Sequence, residues 1–116
     1  MGAETDCLFC KIIAGEIPAE KVYEDDQVLA FRDIHPAAPT HVLLIPKRHI
    51  ASVDELEPGA DALIGRLVRT AALVAREAGL SGGYRLITNC GPGAGQEVFH
   101  LHVHLLGGRP FGWPPG

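Results

Sequence analysis

Three of the six histidines in this 116-residue chain, His100, His102 and His104, fall within five positions and alternate strictly with Leu101 and Val103. Histidine titrates near neutrality, so a row of imidazoles can attack, donate and accept protons at pH 7. In a strand, where successive side chains take opposite faces, the three rings would share one face roughly 6.5–7 Å apart. Val98 and Phe99 extend the same pattern, and Phe99, Leu101, Val103 and Leu105 would face a core. A helix would scatter positions two apart. Ligands at i, i+2 and i+4 of one flat strand cannot converge on one ion, so the row is not by itself a metal site. A plain solvated strand face is the alternative.

Just upstream, residues 89–96 read Asn-Cys-Gly-Pro-Gly-Ala-Gly-Gln, a glycine-rich loop whose free N–H groups could cradle a phosphate. Loop and histidine row together point to a phosphate-handling active site. At the other end, Cys7-Leu8-Phe9-Cys10 is a Cys-x-x-Cys. Two thiolates at that spacing can grip a zinc ion, which wants four nitrogen or sulfur ligands in a tetrahedron. A redox dithiol would need a preceding strand that residues 1–6 cannot supply. Two buried cysteines without chemistry remain the alternative, and the motif does not say which histidines would complete a site.

The elements that must position these groups follow from patterning. Lys11-Ile12-Ile13 continue a short helical turn closed by Ala14-Gly15, and Val22-Tyr23 begin a strand that turns at Glu24-Asp25-Asp26. Residues 28–34 return as its hairpin partner. A stiff connection holding Pro36 and Pro39 leads into residues 41–46, a near-continuous apolar run expected as a central strand buried on both faces. Residues 52–56 make a short helical turn before Pro58. Residues 60–78 carry apolar side chains at 60, 63, 64, 67, 68, 71, 74, 75 and 78, a helical period with a wide stripe, and Gly79 stops it. Gly65 inside that helix costs about 1 kcal/mol relative to alanine and fits either close approach of a partner helix or an accident. Residues 84–88 form another strand, and the glycine- and proline-rich tail, residues 107–116, is irregular. Trp113 within it should pack on something. The order predicts an α+β fold with a mainly antiparallel sheet, in one domain spanning residues 1–116.

Composition excludes several classes. With 47% hydrophobic residues and 21% charged, the chain is globular and not disordered. No apolar run approaches a membrane span, and no basic segment leading into an apolar stretch opens the chain. Met1-Gly2 hints at myristoylation, but Asp6 stands where that motif wants Ser or Thr. A net charge of −4 argues against a general nucleic-acid binder. Three cysteines, an odd number, fit a reducing cytoplasm.

From about Cys7 to Gly116 the chain resembles the histidine triad (HIT) superfamily of nucleotide hydrolases and transferases, whose signature is the run from His100 to Leu106. Leu106-Gly107-Gly108-Arg109 and Trp113-Pro114-Pro115-Gly116 are most similar to the histidine triad nucleotide-binding (HINT) branch. The resemblance implies a HIT-like fold and hydrolysis of purine nucleoside phosphoramidates through a nucleotidyl-histidine. His102 would attack the α-phosphorus, with its second ring nitrogen donating to a fixed acceptor such as a backbone carbonyl. His104 would bind phosphoryl oxygens and assist the leaving group, with His41 in support. Asn89 and the backbone around Gly95 and Gln96 would hold the phosphate, with Glu97 and Val98 completing that wall. Asp33 would take the ribose hydroxyls, and Phe9, Ile12, Phe31 and Ile34 the purine. His49 of the Pro-x-x-His segment and His100 would join Cys7 and Cys10 around a structural zinc.

The same resemblance implies a homodimer through the long helix and an adjacent strand, each tail reaching its partner's site. Two positions depart from it. Glu97 stands where Ser or Thr is more usual; a carboxylate there would repel a phosphate if it pointed inward, or would instead favour a cationic amine leaving group. Gly112 stands where relatives often carry histidine. A dinucleoside polyphosphate hydrolase and a nucleotide-binding scaffold are the competing readings.

Overall fold

The structure, a computed structural model, describes residues 6–116. Helix α1 (Leu8–Ile13) is followed by strands β1 (Lys21–Glu24), β2 (Val28–Arg32) and β3 (Thr40–Pro46). Helix α2 (Asp61–Glu77) leads to β4 (Tyr84–Ile87) and β5 (Val103–Gly107), with short 3-10 turns at Val53–Glu55, Pro58–Ala60 and Pro92–Ala94. The strands form one five-stranded antiparallel sheet in the order β1-β2-β3-β5-β4. At the first hairpin, the Asp25 carboxylate accepts the N–H groups of Gln27 and Val28, both at 2.8 Å, and so closes the turn.

The central strands are mostly apolar because both faces are covered. Val28, Ala30, Val42, Leu44, Val103 and Leu105 pack under Leu67, Ala71, Val74 and Ala75 of α2. Leu29, Phe31, Leu43 and Ile45 point the other way, against Phe9, Cys10 and Ile12 of α1. Each fully buried Leu or Ile contributes about 1.5–3 kcal/mol, whereas exposed ion pairs such as Lys21–Glu24 contribute about 0–1 kcal/mol. The two clusters hold the sheet. Helix α2 ends as expected: Gly79 has φ +76°, and Leu80 N–H reaches Ala75 O at 3.0 Å.

The α+β expectation holds in outline, with five local corrections. Strand β5 starts only at Val103; before it, Leu101 N–H donates to Ile50 O at 2.6 Å and Thr88 Oγ1 donates to His102 O at 2.9 Å, so that stretch is stitched to loops. Phe99 is exposed, not core, because the chain has not yet entered the sheet. Strand β2 stops at Arg32 because Asp33 Oδ1 accepts His35 N–H at 2.8 Å and turns the chain, leaving Ile34 85% exposed. The buried stripe of α2 is narrower than its apolar pattern, including Thr70 and leaving Val68 exposed. Gly107, expected in the irregular tail, belongs to β5. Trp113 is 84% exposed on the single chain.

Part of the tail is nonetheless anchored. Two guanidinium groups lie over the Phe111 ring, Arg85 at 5.1 Å and Arg109 at 4.4 Å. Arg85 also donates to Gly112 O at 2.7 Å, and Arg109 to Ala37 O at 3.2 Å.

Candidate active site

The alternation of the histidine row survives its shortened strand. Leu101, Val103 and Leu105 face α2, so His102 and His104 emerge on the α1 side of the sheet. There they close one end of a cleft of about 350 Å³. Phe9, Ile12 and Phe31 form its apolar floor, Asp33 and Ile34 its rim, and Asn89, Gly95, Glu97 and Val98 its loop wall. Of the residues expected to bind nucleotide, only Gln96 lies outside it.

Gln96 is buried as a clamp. Its Oε1 accepts Gly91 N–H at 2.9 Å, and its Nε2 donates to Ala51 O at 2.8 Å and Val98 O at 3.1 Å. The expected phosphate donors shift accordingly. The N–H groups of Gly95 and Gln96 close the loop on Pro92 O and Gly91 O. Those of Glu97 and Val98 have no protein acceptor among the described residues.

The ring nitrogens of the two cleft histidines are sorted by their partners, which is how tautomers are assigned where hydrogens are not seen. His102 Nδ1 donates to His100 O at 2.7 Å, so its Nε2 carries the lone pair. The edge of its ring meets Phe9, centroids 5.1 Å apart and planes at 90°, which limits its rotation. For His104 the sorting comes through His41. Ala37 N–H donates to His41 Nδ1 at 3.0 Å, so the His41 proton sits on Nε2. That Nε2 faces His104 Nδ1 at 2.9 Å, and a proton given there leaves the His104 proton on Nε2.

Neighbouring rings, with centroids 5.0 Å apart, thus present opposite faces: a nucleophilic nitrogen on His102 and a donor on His104. Burial, with His102 and His41 nearby, pushes His104 down to about 4, and burial also lowers His41. Both are neutral at pH 7.

A second cluster lies behind His102. Cys7 Sγ is 3.3 Å from His100 Nδ1, Cys10 Sγ is 3.4 Å from His49 Nδ1 and 3.6 Å from His100 Nδ1, and the two Nδ1 atoms are 3.2 Å apart. Bonds of about 2.3 Å to sulfur and about 2.0–2.1 Å to nitrogen in a tetrahedron put sulfur and nitrogen ligands about 3.6 Å apart and two nitrogens about 3.3 Å apart. The four side chains fit one metal ion. His100 Nε2 donates to Pro46 O at 2.7 Å, which frees Nδ1 as a ligand. Burial raises the Cys7 thiol, an effect that a bound cation reverses. Asp33, His41 and His104 also converge, but the His41 Nε2 proton makes them a hydrogen-bonded chain and not a ligand set.

Sequence reasoning missed the roles of Ala37, Pro46 and Thr88, which act through backbone atoms or a tertiary contact that no side-chain type announces. It also missed His35 and Arg32, which line the cleft.

The site is thus a five-stranded sheet that displays two oppositely polarised histidines over an apolar cleft, braced by a Cys₂His₂ cluster. A model of the HIT domain family matches residues 14–111, and the chain belongs to that family. An uncharacterised HIT-like protein of Synechococcus elongatus is 54% identical over 111 residues, 96% of this chain and 97% of that one. The 14 kDa zinc-binding protein of Brassica juncea is 51% identical, covering 96% and 100%. Adenylylsulfatase HINT1 of Arabidopsis thaliana is 48% identical, covering 98% of this chain and 79% of its own. The crystal structure of a HIT family hydrolase from Legionella pneumophila Philadelphia 1 superposes with a TM-score of 0.94 at 53% identity, covering 96% of this chain and all of that one.

The neutrality of His104 has a measurable consequence. Its value is depressed from the usual 6.5 to about 4, so between those pH values the unfolded chain takes up a proton that the folded one refuses. The stability this group allows is complete above pH 6.5 and is lost as the pH falls toward 4. Replacing His104 with Gln removes one such group, and the melting temperature should then drop less over that interval than in the wild type. An equal drop would show that His104 titrates normally.

Proposed function

We propose that the protein is a nucleotide hydrolase that cleaves purine nucleoside 5′-phosphoramidates, or related acyl- or amine-linked AMP, and releases AMP or GMP. The observation that carries this reading is the opposed polarity of His102 and His104 at the end of a cleft with an apolar floor. The purine lies among Phe9, Ile12, Phe31 and Ile34, the ribose hydroxyls meet Asp33, and the phosphate meets Asn89, His104 Nε2–H and the free N–H groups of Glu97 and Val98. His102 Nε2 attacks phosphorus; the phosphorus–nitrogen bond to the leaving amine breaks, the amine keeps the electron pair and a proton from solvent neutralises it. Water then attacks the nucleotidyl-histidine, and nucleoside monophosphate and free His102 result. His104 stays neutral and stabilises charge on the phosphoryl oxygens as a hydrogen-bond donor. Glu97 on the wall favours an amine, especially a cationic one, over the anionic leaving group that the name of the Arabidopsis relative implies for that protein.

Cys7, Cys10, His49 and His100 hold a structural zinc, a reading supported by the fit of their spacings and by the names of the plant zinc-binding relatives. The ion would tie α1 to the segment before β5. The whole chain, residues 1–116, acts as one domain in the cytoplasm, binding neither nucleic acid nor membrane; no helix of the described residues is long and apolar enough to cross one. A homodimer is favoured by the open edge of β4, by exposed Tyr84 on it and exposed Val68 on α2, and by Trp113 standing free of its own chain.

Three outcomes test this. Steady-state kinetics should rank an adenosine phosphoramidate above diadenosine polyphosphates and adenylyl sulfate, and His102→Ala should lose turnover by about a thousandfold or more while still binding AMP; a few per cent residual kcat in pure protein would remove His102 as nucleophile. Purified protein should contain about one zinc per chain with two sulfur and two nitrogen ligands, and Cys7→Ser should lower both metal content and melting temperature; a metal-free wild type melting at the same temperature would defeat the zinc assignment. Light scattering should find a dimer at micromolar concentration, weakened by Gly65→Leu, a site with open space around it in the single chain; a monomer would end that proposal.

A further inference from the structure

The direction of the His41–His104 hydrogen bond is set from outside the pair. Ala37 N–H donates to His41 Nδ1 at 3.0 Å, which places the His41 proton on Nε2, facing His104 Nδ1 at 2.9 Å. Without that donor the pair can run the other way. A proton on His41 Nδ1 would leave its Nε2 to accept from His104 Nδ1–H, and His104 would turn a lone pair toward the cleft instead of a proton. Each ring keeps one proton in either arrangement, and the 2.9 Å contact suits both. Asp33 Oδ2, 3.4 Å from His41 Nε2, is not hydrogen-bonded to it, but its charge adds a weaker bias toward the observed direction.

Ala37 therefore has to be held, and its own segment cannot do it. From Pro36 to Pro39 the chain is exposed except for Ala38, and its hydrogen bonds among the described residues are both at Ala37. The rings of Pro36 and Pro39 fix φ, and Ala38 is restricted by the proline after it, so the freedom of the segment sits at Ala37. The tail supplies the hold. Gly108, at φ +93°, brings its backbone against Pro39, where a Cβ would lie 2.8 Å from the Pro39 Cβ. From there Arg109 donates to Ala37 O at 3.2 Å, its guanidinium kept in place by Pro110 O at 3.1 Å and the Phe111 ring at 4.4 Å.

We propose that Arg109 is a positioning residue for His104: by holding Ala37 it keeps the direction of the His41–His104 hydrogen bond, and with it the Nε2–H that faces the cleft. The kinetic consequence rests on reading the cleft as a nucleotide site; the direction of the hydrogen bond does not. Arg109 does not line the cleft, so its effect belongs in kcat and not in KM.

Arg109→Ala should lower kcat for an adenosine phosphoramidate by about tenfold, the size of one realigned hydrogen bond. KM should stay within about twofold of the wild type, and Arg109→Lys, which still presents a donor to the Ala37 carbonyl, should recover most of the loss. Arg85→Ala is the control. Arg85 also grips the tail, but at Gly112 O and the Phe111 ring instead of Ala37, and its removal should leave kcat near the wild-type value. Unchanged kcat in Arg109→Ala, a change in KM alone, or an equal loss of kcat in Arg85→Ala would overturn the proposal.

A second measurement needs no substrate. Imidazole ¹⁵N shifts distinguish a protonated ring nitrogen from a bare one, and in the free wild type at pH 7 both His41 and His104 should be in the Nε2–H form. In Arg109→Ala the two nitrogen shifts of each ring should move toward one another as the two directions mix, with the melting temperature little changed. Wild-type shifts retained in Arg109→Ala would overturn the hold on Ala37. A wild type that turns over no nucleotide would remove the nucleotide reading alone, and the ¹⁵N comparison would still decide the role of Arg109.

Discussion

His100 is fully buried, and both its ring nitrogens and its carbonyl oxygen are engaged. Its Nδ1 faces the two cysteines and His49, its Nε2 holds the Pro46 carbonyl at the end of β3, and its own carbonyl receives the His102 Nδ1 proton. An imidazole with nothing to bond would be costly in such a place. Here one residue joins the N-terminal helix, the central strand and His102. Remove its partners and His102 loses the acceptor that keeps Nε2 unprotonated toward the cleft. The irregular stretch before β5 is part of the same solution, since a regular ladder would direct the His100 carbonyl across the sheet to a neighbouring strand.

Much of this is readable from residue order because it depends on short-range parity. The alternation from His100 to Leu105 is enough to divide histidines from core, and the division holds although residues 98–102 are not in a strand. The Cys-x-x-Cys pair reads as half of a tetrahedral set, and the family resemblance supplies the two histidines that the fold brings alongside. Gly79 marks the end of α2 through its own backbone freedom. Where the reading fails, the cause is tertiary. Phe99 continues the apolar alternation, yet the bond from Leu101 to Ile50 bends the chain outward before that parity applies. Gln96 sits in a loop rich in glycine and invites a ligand role, but its amide is consumed by Gly91, Ala51 and Val98, which lie near it only in the folded chain.

The cleft works by contrast of polarity rather than by charge. Its floor is aromatic and aliphatic, its donors are backbone N–H groups and a neutral histidine, and its wall carries the carboxylates of Asp33 and Glu97. Such a site suits a ligand with a flat apolar base, a hydroxylated middle and a compact anionic end. With His41 and His104 neutral, a hydrogen bond from a ring at that end of the cleft is more directional than the attraction of a full positive charge.

The guanidinium of Arg109 that stacks on Phe111 also holds the carbonyl of Ala37, and the N–H of the same residue orients His41. The tail and the proton geometry of the cleft therefore share a single alanine as their mechanical joint. A displacement of the tail, by a neighbour seated against Trp113 for instance, would act first on the hydrogen bond that orients His41. The C-terminus is a lever whose short arm ends at the cleft histidines.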